Sequence, residues 1–252
     1  MSPILEISGL RKSFGPVEVL RDVDLKLNAG EVLAVVGDNG AGKSTLIKHI
    51  SGVYRQDAGQ MLLDGQPLVL ASPREARERG IETVYQDLAL ADDLSIGANI
   101  FLGREPVRRF LGILPYIDDR TIRSETTKLL ENIRSVVPAA ARTVARLSGG
   151  QRQAVAIARA IYWKAKVVML DEPTAALAVM ERERVIHHAR DLAAHGAGVI
   201  YIGHNLVEIL KVADRVAVMY RGRIVHEAKA ADTSQEILIK YMTGYSDSAK
   251  AA

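Results

Sequence analysis

Apolar side chains fall on alternate positions at Val23, Leu25 and Leu27, the period of a strand that buries one face. The stretch from Val19 to Leu27 is therefore predicted to be extended, and Ile4-Leu5-Glu6-Ile7, less regular, predicts a short strand before it. The apolar run from Glu31 to Val36 enters a glycine-rich turn, with a helix expected from about Lys43. Gln60 to Asp64 reads as a further strand closed by an Asp64-Gly65 turn. Ser72-Pro73-Arg74-Glu75 joins a capping serine and glutamate to proline at the first helical position, so a helix starts there. Ile81 to Tyr85 returns to a strand.

Between about Leu88 and Ala145 strand-like runs disappear, and Ile122, Leu129, Leu130 and Ile133 share one helical face. This predicts an inserted, mainly helical subdomain over 88–145. Alternation then resumes: a helix from about Gly150, strand Val167 to Leu170, a helix from about Val179 and strand Val199 to Ile202. A helix through Leu206 to Val212, strand Arg215 to Met219 and a final helix, Thr233 to Met242, with a Thr-x-x-Glu start, complete the pattern. Strands alternating with helices predict an α/β fold with a mainly parallel sheet covered on both faces. The division expected is one domain over 1–252, its core drawn from 1–87 and 146–245. The tail from Ser246 to Ala252 is small and polar and is expected to fray.

Composition narrows the class. A hydrophobic fraction of 48% and a charged fraction of 25% are those of an ordinary soluble protein. No apolar run approaches the roughly 18–20 residues that span a bilayer, and the first residues carry no secretory signal pattern. With no cysteine, disulfides and thiolate metal sites are excluded. The net charge of +3 is slight and scattered, so no nucleic-acid partner is expected.

Two segments carry chemistry. Gly37-Asp38-Asn39-Gly40-Ala41-Gly42-Lys43-Ser44 fits G-x-x-x-x-G-K-S between an apolar strand and a helix, the setting of a phosphate-binding loop. Lys43 is expected to reach the β- and γ-phosphates and the Ser44 hydroxyl to bind Mg²⁺. Val167-Val168-Met169-Leu170-Asp171-Glu172 is a buried strand ending in two carboxylates, costly unless cations or water meet them. Asp171 is expected to hold Mg²⁺ through water, and Glu172 to orient the attacking water and accept its proton.

Leu147-Ser148-Gly149-Gly150-Gln151 lies between these two segments. In this order the three motifs resemble the ATP-binding cassette (ABC) family, over nearly the whole chain. The resemblance implies a P-loop NTPase fold with an N-terminal antiparallel β subdomain and an inserted helical subdomain. It implies that Gly37 through Ser44 and Thr45 bind ATP with Mg²⁺. Phe14 matches the aromatic that stacks on adenine, although by chemistry alone it is equally a core or edge aromatic. Gln86 matches the glutamine that senses Mg²⁺ and the water, and His204 the histidine that contacts the γ-phosphate. Ser148, Gly149, Gly150 and Gln151 would close over ATP held by a second copy, making a head-to-tail dimer. The other histidines (His49, His187, His188, His195 and His226) match no motif and read as structural or solvent-facing. One position departs from the pattern. The family usually has Ser-Ala-Leu-Asp where this chain has Ala175-Ala176-Leu177-Ala178, leaving open how tightly two sites communicate.

The segment Asn99 to Glu105 resembles ATPases that energise bacterial uptake of simple sugars of the ribose, xylose and fructose kind, the single-cassette fructose importers nearest. Val84-Tyr85-Gln86-Asp87-Leu88, the Asp171 to Leu177 run and Gly203-His204-Asn205 lean the same way. That resemblance implies transmembrane permease subunits, indirectly a periplasmic sugar-binding protein, and a peripheral place on the cytoplasmic face of the inner membrane. Ile100, Phe101 and Leu102 suit docking and subdomain core equally. Two other readings stay open: an ABC ATPase for another solute, and a soluble ABC ATPase acting on nucleic acid. The slight charge and the lack of a basic stripe weigh against the last.

Overall fold

Two long antiparallel strands, β1 (Leu5–Phe14) and β2 (Val17–Leu27), open the chain, paired from Leu5 opposite Leu27 to Phe14 opposite Val17. The structure, a computed structural model, describes residues 3–85, 87–110, 113–132, 142–175 and 177–244. Next come β3 (Val32–Val36), α1 (Lys43–Ile50), β4 (Ala58–Leu63), β5 (Gln66–Pro67), α2 (Pro73–Glu78) and β6 (Ile81–Val84). They are followed by α3 (Ile96–Phe101), β7 (Val107–Phe110), β8 (Leu114–Ile117), α4 (Asp119–Asn132) and α5 (Gly149–Tyr162). The chain continues through β9 (Val167–Asp171), α6 (Val179–Ala194), β10 (Gly198–Ile202), α7 (Leu206–Val212), β11 (Arg215–Tyr220), β12 (Arg223–Lys229) and α8 (Gln235–Met242).

The chain divides into two compact units. The first, residues 1–86, 165–175 and 186–252, holds both large sheets. Its six-stranded sheet runs β12-β11-β3-β10-β9-β6, parallel throughout except for β12. Every residue of β3, β6 and β10 is buried, as parallel strands covered on both faces require. The four-stranded sheet, β2-β1-β4-β5, is antiparallel and buries one face, with Leu20, Val23, Leu25 and Leu27 turned inward. The second unit, residues 87–164 and 176–185, takes in α5 as well as the helical stretch read from the sequence. It packs Ile96, Ile100, Phe101, Ile122, Leu129, Leu130, Val144 and Val155 into a separate core. Ile133 lies outside the described residues. Ile100 and Phe101 are thus core, while Leu102 is exposed.

Four departures from the sequence expectations have physical causes. β1 runs well past Ile7 because Gly9 takes a φ of 60° and the pairing shifts register between Ile7 and Leu10, which erases the alternation. β12 was not expected; it is an edge strand of mixed polar character reached through Arg221 and Gly222, both at positive φ. The hairpin of β7 and β8 interrupts the helical unit with two four-residue strands; Val107, Leu114, Tyr116 and Ile117 are all exposed, so no buried face marks it. Finally, Ser234 rather than Thr233 caps α8, its hydroxyl accepting the Ile237 N–H.

Ile200 is fully buried at the centre of β10, between β3 and β9. Ile200→Ala is expected to lower unfolding stability by about 2–5 kcal/mol, read as a shifted urea midpoint at unchanged slope.

Candidate functional site

The first unit gathers its polar groups at the carboxyl ends of β3, β9 and β10. β3 leads into the loop from Gly37, and two glycines fit that loop against its neighbours. A Cβ on Gly37 would lie 2.2 Å from the Met219 carbonyl oxygen of β11. Gly42 takes a φ of 110°, and a Cβ there would lie 2.9 Å from Met219 Cε and 3.2 Å from the Val19 carbonyl oxygen. Asp38, Asn39 and Gly40 are exposed, whereas Ala41, Gly42 and Lys43 are buried. α1 starts with Gly42 as its cap residue, without a side-chain cap bond and without an acidic residue in its first turn. Its positive end is left to an outside anion. Ser44 is exposed and Thr45 half-buried on that first turn.

The Lys43 ammonium donates to the carbonyl oxygens of Gly37 (2.6 Å) and Asp38 (3.0 Å). Burial pushes its pKa down, opposed by the charges of Glu172, Asp38 and Asp171. Asp171 ends β9 opposite Ile202 of β10. Burial pushes its carboxyl up, the Glu172 charge adds to this, and Lys43 and Lys48 pull the other way. Glu172 adopts a left-handed φ of 47° while its N–H donates to the Ile202 carbonyl at 3.0 Å. That turn brings its carboxylate within 3.5 Å of Nδ1 of His204, just past the end of β10. The structure therefore brings together Lys43, Asp171, Glu172 and His204.

A second tie was missed by sequence reasoning. Asn205 caps α7 by accepting from the N–H groups of Val207 and Glu208, and its amide donates to Glu208 at 3.0 Å. The other Glu208 oxygen accepts the Thr174 hydroxyl at 2.8 Å. Thr174 and Glu208 thus couple the loops behind Glu172 and His204. The Asn-x-x-Glu spacing was the only local signal, and it says nothing of Thr174.

Beside the loop, an open cleft of about 400 Å³ is lined by Val17, Glu18, Val19, Arg21, Gly40 and Arg221. Phe14 is not in that lining; it is 41% exposed and packs edge-to-face on Tyr54 at 5.1 Å. Gln86 lies outside the described residues.

In the second unit, Ser148 caps α5. Its hydroxyl accepts the Gln151 N–H (3.3 Å), and the Gln151 side chain accepts the Ser148 N–H (3.1 Å), a reciprocal capping box. Gly149 and Gly150 form the first turn. Val155 and Ile157 are buried, and Ile161 is half-buried. Ala178 brings backbone groups alone: its N–H donates to a Glu181 oxygen at 3.4 Å and its carbonyl accepts from the N–H groups of Glu181 and Arg182 at 3.0 Å.

Hard oxygen donors are what Mg²⁺ takes, and the Ser44 hydroxyl and Asp171 carboxylate are such donors. Burial first, and the neighbouring Glu172 charge second, hold the Asp171 carboxyl above the usual aspartate range, a penalty on its charged form that a cation would offset. Among the described residues no group of three His, Cys, Asp or Glu is placed to hold a metal ion. Because the folded pKa of Asp171 lies above its unfolded value, the carboxyl favours the fold below the ordinary aspartate range and loses that contribution as pH rises through the folded pKa. Asp171→Asn should therefore raise the thermal midpoint of the nucleotide-free protein near neutral pH. Midpoints measured across pH should show that gain vanish in acid.

Residues 20–175 match the family model described as ABC transporter. A xylose/arabinose import ATP-binding protein of Sulfolobus acidocaldarius is 46% identical over 97% of this chain and 96% of its own length. A fructose import ATP-binding protein of Rhizobium meliloti is 43% identical over 96% of this chain and 94% of its own. A putative ribose/galactose/methyl galactoside import ATP-binding protein of Burkholderia cenocepacia is 42% identical over 96% of this chain, which spans only 46% of that relative. A nucleotide-free ATP-binding cassette from an ABC transporter superimposes with a TM-score of 0.80 at 28% identity, covering 96% of this chain and 95% of its own. With its phosphate-loop glycines, acidic strand end and serine-capped α5 in that setting, this chain belongs to the ABC transporter family and is built on its ATPase cassette.

Proposed function

We propose that the chain is the ATP-hydrolysing subunit of an importer for a simple sugar. The observation that carries the chemistry is the pairing of Glu172 with His204 at the ends of β9 and β10, with Lys43 facing Glu172. ATP is taken to lie along the loop from Gly37 to Thr45, its phosphates on the N–H groups of α1 and on Lys43. Phe14 is assigned to the adenine. Ser44 and Asp171, with Gln86, would hold Mg²⁺, which when bound offsets charge on the phosphates. Glu172 orients the attacking water and takes its proton, and His204 steadies Glu172 and meets the γ-phosphate.

Ser148, Gly149, Gly150 and Gln151 are assigned to the ATP of a second copy. Binding energy from ATP then favours a closed head-to-tail dimer, and hydrolysis removes the contact that holds it. Two copies are inferred because the xylose/arabinose and fructose relatives match at nearly full length with one cassette each. The working division is a catalytic core (1–87 and 146–245) with a helical subdomain (88–145) that receives permease subunits. No helix among the described residues is long and apolar enough to cross a membrane. Attachment to the cytoplasmic face of the cell membrane would run through the permease, with a periplasmic sugar-binding protein upstream. The sugar class is supported by the names of the relatives: xylose/arabinose, fructose and ribose/galactose.

Glu172→Gln is expected to retain ATP but slow turnover roughly 10²-fold or more, whereas Lys43→Ala weakens ATP binding itself. Phosphate release and labelled-ATP binding read the two effects separately; a wild-type rate in Glu172→Gln would remove Glu172 as base. Cells lacking the chain, given wild type or Glu172→Gln and a panel of labelled ribose, xylose, fructose, galactose and arabinose, test transport. Uptake of one sugar restored by wild type alone is the expected result, and restoration of none would sink the sugar reading.

A further inference from the structure

We infer that the Glu181 carboxylate is an internal stand-in for phosphate at the start of α5, and must leave before Ser148 and Gly150 can close over ATP. This inference rests on the clamp reading above and adds a control on it. Glu181 lies in the first turn of α6, within the same unit as α5. Its Oε1 is 3.5 Å from the Ser148 hydroxyl oxygen. A Cβ placed on Gly150 would meet the Glu181 carboxyl carbon and Oε1 at 2.6 Å, so the carboxylate lies directly against the bare glycine backbone.

The position suits an anion. α5 is fourteen residues long, and its first turn contains no acidic residue of its own. Its positive end is met instead by a carboxylate from another helix. Two anions cannot share that place, so a γ-phosphate presented there displaces Glu181 or is refused. The contact that must break is weak enough to yield, at 3.5 Å to Ser148 against about 2.7–2.9 Å for a strong charge-assisted bond, and the other carboxylate oxygen is 3.4 Å from the Ala178 N–H. The Ala178 N–H also gives the displaced side chain an anchor on its own helix. The latch thus raises the ATP concentration at which two copies close, and leaves the phosphate loop in the other unit untouched.

The test uses the full chain carrying Glu172→Gln, with dimer formation followed by sedimentation against MgATP. Adding Glu181→Gln keeps the shape and the acceptor for the Ala178 N–H but removes the charge. The half-saturating MgATP for dimerisation should fall about three-fold, the scale of one partly exposed charge contact. Labelled-ATP affinity of the monomer should stay the same. Glu181→Ala should give the same fall together with a lower melting temperature, because α6 loses a cap. A half-saturation that is unchanged or raised in both variants, with or without a change in melting, makes Glu181 a helix cap only and overturns the inference. If Glu172→Gln alone stays monomeric at saturating MgATP, the clamp reading falls and takes this inference with it, a result distinguishable from normal dimerisation that ignores Glu181.

Discussion

The Lys43 ammonium sits out of water, held by the carbonyl oxygens of Gly37 and Asp38 and facing the charges of Asp171 and Glu172. A buried ammonium is tolerable only while hydrogen-bond acceptors stay in place around it, so its surroundings must be held fixed. The fully buried strands β3 and β10 supply that fixity, and β9 carries the carboxylates out to the same edge. The sheet's order matters for the same reason. With β3 and β9 both paired to β10, the loops after all three strands open at one end.

The energetics of this edge favour a guest. The positive start of α1 has no acidic residue in its first turn, while Asp171 is pushed toward its protonated form. Phosphate with a divalent cation would answer both imbalances at once, the anion at the helix and the cation at the carboxylates. A ligand-free site of this kind is stable chiefly because the rest of the sheet is, and its polar groups gain partners when the ligand arrives.

Much of this was legible before any coordinates. The phosphate loop, the acidic strand end and the strand-helix alternation were readable because each depends on residues adjacent in the chain. Helix α7 matched its expected span of Leu206 to Val212, since its apolar spacing is local. What was not legible came from pairing across distance or from exposure. β12 is an edge strand without a buried face; the β7–β8 hairpin shows its apolar residues to solvent; and the Thr174–Glu208 bond spans 34 positions. The Glu181 carboxylate over Gly150 belongs to the same class, because nothing near residue 150 names a partner at 181.

Gly37 carries a lesson about descent. The nearest obstacle to any side chain there is the Met219 carbonyl of β11, a backbone atom that every amino acid at position 219 would present. The glycine is demanded by the sheet's own architecture before a phosphate is considered. A descendant chain that had lost its taste for nucleotides would still be held to glycine at this position for as long as β11 lay beside β3. The first letter of the loop motif therefore records ancestry of the fold, and it is the lysine, the serine and the two carboxylates that record whether the chemistry survives.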